Sequence, residues 1–317
     1  MRLSVEGVQR HGALAVLVGV TLVGLVAFPG FRTVDNAGTL LVNAAPLGLV
    51  ALGMTFVILT GGIDLSVGSV FVLGGVVAAW ASQYGFVAAL GAPLLVGAAV
   101  GLVNGVLVAR TGLAPFIVTL ASLLGARGLM RAISTEGSTT YLVESTAFKT
   151  LGNGDLLGVN WPVWIAAALF GLGAVVLYRT GFGQCVYAVG GNTDAARLMG
   201  VPVAATQIRV YALSGLLAGL AGALNAARLG SGVTVLGIGT ELDAIAAVVI
   251  GGTLLTGGAG ALSGTVAGVL LLGVIQNLIN QVGDVPTAYQ QVVSGAFLAV
   301  VVVAQTSLAR LRKLAPG

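Results

Sequence analysis

The sequence predicts an all-α fold: a polytopic transmembrane helical bundle with some broken helices. Three observations carry this expectation. Of the 317 residues, 57% are hydrophobic and 8% are charged, and mean hydropathy is +1.05. A soluble domain carries about 25% charged residues, so a water-facing surface cannot be covered here. The apolar runs are long and continuous, unlike the short alternating segments of a transmembrane barrel. Glycine is abundant, at 50 residues, and small residues let helices approach closely inside a bilayer. These features exclude a soluble enzyme and a disordered chain.

At roughly 20 apolar residues per span, the chain divides into about ten spans. Ala13–Phe28 ends in Phe28-Pro29-Gly30 without a small-x-small cleavage signal, so it is read as a retained helix, not a signal peptide. Leu40–Leu59 and Val67–Ala81 flank a double glycine. Pro93–Ala109 and Ala114–Ile133 follow, then a hydrophilic external loop over 134–160. Val163–Tyr178 leads into a second hydrophilic stretch over 179–207. Ile208–Ala227, Leu242–Leu255, Leu262–Val282 and Ala288–Thr306 complete the set. No polar block is long enough for another domain, so residues 1–317 form one transmembrane domain.

Orientation follows from loop Lys and Arg. With the N-terminus in the cytoplasm, Arg2, Arg10, Arg110, Arg179, Arg197, Arg209, Arg310, Arg312 and Lys313 fall inside. Arg32, Arg127, Arg131, Lys149 and Arg228 fall outside or at the outer margin. Both termini are therefore expected in the cytoplasm. Trp80, Tyr84, Trp161 and Trp164 then lie at the outer interface, where amphipathic rings are favoured.

The segment Gly53–Ser69 contains Gly61-Gly62-Ile63-Asp64-Leu65-Ser66. Adjacent glycines end a helix easily. Asp64 or Ser66 can then cap the next helix by accepting a backbone N–H. An ionisable residue within a span can instead serve protons or substrate; the cap is the favoured reading, because a carboxylate at a helix N-terminus is already stabilised. Thr240-Glu241-Leu242-Asp243 resembles a second cap, with Thr240 at the N-cap and Asp243 three residues on. The set Leu59-Thr60-Gly61-Gly62 recurs as Leu255-Thr256-Gly257-Gly258, either by chance or by internal duplication.

Between Asn192, a good N-cap, and the stop signals Gly200 and Pro202, there is room for a helix of about two turns. Thr193, Asp194, Ala195, Ala196, Arg197, Leu198 and Met199 fill it. Ala195, Leu198 and Met199 share one face, and Asp194 and Arg197 another. So short a helix needs support from the rest of the chain or from a partner.

Embedded polar side chains include Asn43, Thr55, Asn104, Thr119, Ser122, Asn225, Gln276, Asn277 and Asn280. Facing lipid, each would be costly. They bond between helices or line a water-filled path, for which Asn43, Thr55, Asn104, Thr119, Ser122 and Asn277 are the candidates. As a set, these uncharged groups suit a neutral polyhydroxy solute. No catalytic residue or metal site is expected, since Cys185 and His11 are single and no nucleophile–His pairing is available. Neither lysine ends a G-x-x-x-x-G-K-[ST] loop, so ATP is not hydrolysed by that route. No basic cluster with interleaved aromatics points to nucleic acid.

Three segments resemble the permease subunits of sugar-type ABC importers, the ribose/xylose/galactose group. They are Gly53–Ser69, Val186–Gly200 without the intervening Thr193-Asp194, and Glu241–Thr253. Gly53–Leu59 and Val248–Leu255 look most similar to one permease of a galactofuranose importer. The resemblance implies an inner-membrane permease paired with a second copy or a paralogue. It also implies ATPase subunits carrying ATP and Mg on the cytoplasmic side, and an extracytoplasmic sugar-binding protein. The family's ATPase-coupling loop maps onto Asn192–Gly200. The expected function is a path for a neutral monosaccharide, pentose or hexose, the furanose form included. The rival is an ion-coupled symporter, for which Asp64 is the interior candidate.

Overall fold

A computed structural model describes residues 5–235 and 237–282, with four further positions at 289, 292, 295 and 296. Among the described residues the chain is almost wholly helical, with one two-stranded hairpin, Asp155–Leu156 paired to Val159–Asn160. Seven helices are long and apolar enough to cross a membrane. They are α2 (Val34–Leu59), α3 (Val67–Ala81, extended by the turn Ser82–Tyr84), α4 (Phe86–Thr111), α5 (Pro115–Ile133), α7 (Trp161–Arg179), α10 (Val203–Leu229) and α12 (Leu262–Val282). Helix α1 (Val5–Ala27) precedes them, and α6 (Thr146–Asn153), α8 (Gly181–Gly191), α9 (Thr193–Leu198) and α11 (Thr240–Ile250) are shorter.

Several span expectations change. The run Ala13–Phe28 falls on α1, whose apolar part, Gly12–Ala27, is shorter than the seven spans, and Leu40–Leu59 and Ile208–Ala227 start earlier, at Val34 and Val203. The run Leu242–Leu255 is not a full span. Its helix, α11, has 11 residues and stops at Gly251-Gly252, about 16 Å at 1.5 Å per residue. The run beginning at Pro93 starts earlier, at Phe86, because Gly85 supplies the turn and Pro93 is carried inside the helix. The run Ala288–Thr306 lies almost wholly outside the described residues.

Helix α10 is the centre of the bundle and packs against α2, α3 and α4. Its contact with α4 is backbone to backbone. A Cβ added at Gly97, Gly101 or Gly105 would lie 2.2, 2.2 and 2.7 Å from Gly215 O, Tyr211 O and Ile208 Cα. Spacing of four residues puts these glycines on one stripe, the arrangement small residues allow in bilayers. Helix α12 packs against α1, α2 and α11, and Gly264 and Gly268 of α12 meet Gly251, the C-cap of α11, and Ala247 within it just as closely.

The stretches 231–235 and 237–239 turn back into the bundle beside α3. Gly232 lies against Val76, and Gly237 lies against Val72 and Gly68. Helix α11 then starts next to the first turn of α3 and is therefore a half-helix within the bundle. The stretch 134–160 covers the end of the bundle where α10 finishes. There Phe148 is buried, Gly152 rests on the Ala227–Arg228 backbone, and the Val143 N–H donates to Gly230 O at 2.8 Å. The opposite end carries α8 and α9.

Candidate functional site

A cavity of about 360 Å³ lies between α2, α10, α11 and α12. Asn43 and Pro46 come from α2, Asn225 and Arg228 from α10, Thr240 and Asp243 from α11, and Gln276, Asn277 and Asn280 from α12. Pro46 lies inside α2, where its ring leaves one carbonyl without a helical donor. The half-helix α11 forms one wall with its first turn. Arg228 donates to Asn43 Oδ1 at 2.5 Å. Asn277 exchanges hydrogen bonds with Asn36, at 2.8 and 3.1 Å. The lining thus combines neutral amides with one cation and one carboxylate.

The structure divides the polar residues picked out in the sequence. Asn43 and Asn277 line this cavity. Thr55, Asn104, Thr119 and Ser122 do not, and their bonds lie within and between helices. Thr55 meets Thr265 at 2.8 Å, and Thr119 donates to Pro115 O at 2.9 Å. Ser122 donates to Asn104 Oδ1, and Asn104 donates to Ser66 Oγ at 2.9 Å. The Asp64 carboxylate, fully buried, closes this network. It accepts from the Ser66 N–H at 3.0 Å, from Ser66 Oγ at 2.6 Å and from Ser214 Oγ at 2.9 Å. The break around Gly61 and Gly62 is real, with Gly61 at φ +79°. Ser66 is the N-cap of α3 but its side chain caps nothing. Asp64 instead ties the break to α10, and through Ser66 to α4.

The cap at Thr240 is corrected. The N-cap of α11 is Gly239, in left-handed backbone at φ +87°, and no side chain caps it. Glycine adopts that conformation freely, so the chain turns there and Thr240 is left inside the helix. Asp243 faces the cavity instead of closing a capping box.

In the stretch 179–207, Asn192 accepts from the Ala195 N–H at 2.9 Å, and the chain leaves α9 through Gly200 at φ +81°. Ala196 is buried, whereas Leu198 is 90% and Met199 84% exposed. Arg197 and Asp194 pair at 3.5 Å on the adjacent face. Two large apolar side chains, Leu198 at the end of α9 and Met199 at its C-cap, thus stand outside the bundle. Helix α8, which leads into α9, sits on the break after α2 and on the link between α11 and α12, where Gly190 lies against Leu59 and Gly258. Tyr187 donates to Gly260 O at 2.9 Å, and burial raises its phenol above the ordinary range, so it stays a donor.

Residues 36–302 match the family model described as the permease component of branched-chain amino acid transport systems. The chain belongs to this permease family. The ribose import permease of Escherichia coli (strain K12) is 42% identical over 295 residues, covering 92% of this chain and 91% of the relative. The L-arabinose ABC transporter permease of Azospirillum brasilense is 39% identical over 289 residues, covering 88% and 84%. The fructose import permease of Bifidobacterium longum is 36% identical over 317 residues, covering 97% and 93%. No solved structure matches the chain significantly.

The permease is a multi-pass membrane protein of the ABC importer type, and its relatives are transport subunits. In the sequence Arg228 counts only as an outer charge, and the re-entrant turns at Gly232 and Gly237 lie between its apolar runs. The signal for the latter was Gly232, Gly237 and Gly239 within eight residues, immediately before a run too short for a span.

Proposed function

We propose that this permease forms the membrane path for a neutral monosaccharide, pentose or hexose, in an ATP-driven importer. The observation that supports this reading is the lining of the cavity. Five amide side chains (Asn43, Asn225, Gln276, Asn277 and Asn280) surround a space of about 360 Å³, within the usual range of small-ligand sites, roughly 300–1,000 Å³. Amides both donate and accept, which matches hydroxyl groups around a sugar ring. A branched aliphatic side chain offers this polar lining no hydrogen bond in exchange for the water it displaces. The lining therefore favours a sugar over the amino acids in the family description, in keeping with relatives named for ribose, L-arabinose and fructose. A furanose ring fits the same lining.

In this reading the permease pairs with a second copy or a paralogue. The cavity end faces a sugar-binding protein outside the cell membrane. Leu198 and Met199 of α9 dock into an ATPase subunit, which carries ATP and Mg. Both termini lie in the cytoplasm, following the balance of loop Lys and Arg counted in the sequence. An ion-coupled symporter would need a carboxylate free to titrate in the path. Its interior candidate, Asp64, is bonded to three donors away from the cavity. The carboxylate that does line the cavity is Asp243, so uptake measured without the ATPase decides on this rival.

The test is uptake by the permease reconstituted with its ATPase and binding protein. Labelled ribose, arabinose, galactose and fructose are compared with leucine, with and without ATP. ATP-dependent accumulation of one sugar and none of leucine is expected. Leucine uptake, or sugar uptake driven by an ion gradient without the ATPase, would overturn the proposal.

A further inference from the structure

The two copies of Leu-Thr-Gly-Gly, nearly two hundred residues apart in the chain, lie side by side. The Gly258 N–H donates to Leu59 O at 2.9 Å. A Cβ added at Gly257 would lie 2.7 Å from Gly61 N. The C-terminal end of α8 closes over both copies. A Cβ at Gly190 would lie 1.8 Å from Leu59 O and 2.6 Å from Gly258 N, and one at Gly258 would lie 2.8 Å from Gly191 Cα. Three backbones therefore touch with no side chain between them, and the Tyr187 hydroxyl adds a fourth contact at Gly260.

We propose that Gly190 and Tyr187 are positioning residues that make α8 a yoke, carrying a displacement of α9 to both helix breaks at once. The first break ends α2. The second joins α11 to α12. All three helices wall the cavity. A contact made of backbone alone has no rotamer to absorb movement, and close-packed interiors transmit strain. The α2 wall and the α11–α12 wall must then shift together when α9 moves. This inference rests on the reading that α9 meets the ATPase.

The experiment measures solute moved per ATP hydrolysed by the assembled transporter in proteoliposomes, alongside co-purification of the ATPase. Gly190→Ala favours the α8 helix itself but pushes a methyl group into Leu59 O. It should leave co-purification and ATP hydrolysis unchanged and lower solute per ATP by about tenfold, the scale of a typical coupling between sites. Gly191→Ala, one residue on, meets nothing within 4 Å and should match the wild type. Tyr187→Phe removes one hydroxyl without adding bulk. It should lower the same ratio by about fivefold, and it decides the matter if Gly190→Ala fails to insert. Wild-type ratios in the inserted variants would overturn the yoke. The docking reading is judged separately: if Leu198→Asp co-purifies the ATPase normally, the contact at α9 is wrong, whatever Gly190 does.

Discussion

Ser214 on α10 donates to the Asp64 carboxylate at 2.9 Å across 150 residues of sequence. Ser66 fills the other oxygen, from its N–H and its hydroxyl. Asp64 thereby fixes where the α2–α3 break sits against the central helix. The carboxylate acts as an acceptor for three donors, which is a structural use of a residue that also invites a proton-carrying role.

Asp64→Asn should therefore keep the fold and most of the uptake. Its carbonyl still accepts from Ser66, and the Ser214 hydroxyl turns to accept from the new amide. Asp64→Leu leaves the Ser66 and Ser214 hydroxyls buried without that partner, at about 1–3 kcal/mol for each unsatisfied group. Thermal unfolding in detergent should show a clear drop for Leu and little change for Asn. A folded Asn variant without transport would restore a charge role.

The α4–α10 seam should be intolerant of even one methyl group. Gly101→Ala places Cβ 2.2 Å from Tyr211 O, whereas Gly91→Ala on the same helix meets nothing within 4 Å. Overpacking of this kind costs about 1–3 kcal/mol, so Gly101→Ala should unfold at lower temperature and Gly91→Ala should not.

Arg228 holds Asn43 at the cavity wall. Arg228→Gln keeps hydrogen-bonding capacity but removes the charge and the planar fork. It should lower uptake about tenfold through loss of one charge-assisted contact, on the scale of 1.5–3 kcal/mol, with assembly unchanged. The measurement is initial uptake rate against solute concentration, at matched ATPase co-purification.

Leu198→Asp should leave the permease inserted but reduce co-purified ATPase, stimulated ATP hydrolysis and uptake together. Burying a leucine contributes roughly 1.5–3 kcal/mol, and a carboxylate in that contact is unfavourable. Arg197→Glu should do less, because the Arg197–Asp194 pair is exposed and screened by solvent.

The native thiol Cys185, partly exposed on α8, reports orientation. An impermeant maleimide should label it in inside-out vesicles and not in intact spheroplasts. The reverse pattern would invert the proposed topology.

Composition and short local motifs suffice for the membrane class, the α9 cap and stop, the glycine break before Asp64 and the permease family. Each rests on local chemistry: too few charges for a wetted surface, an Asn that caps within three residues, glycines that end a helix, and motifs contiguous in the chain. Which polar residues share a cavity depends on how the helices pack. Asn43 and Asn277 face the same space as Arg228 and Asp243 because a half-helix re-enters beside α3. Asn104 and Ser122 are equally polar but are consumed between α3, α4 and α5. Hydropathy reads Leu242–Leu255 as a weak span, because it registers apolar content and not where Gly239 and Gly251 turn the chain. The meeting of the two Leu-Thr-Gly-Gly copies under Gly190 was equally invisible, since a backbone contact leaves glycine as its only trace, and this sequence has 50 of them.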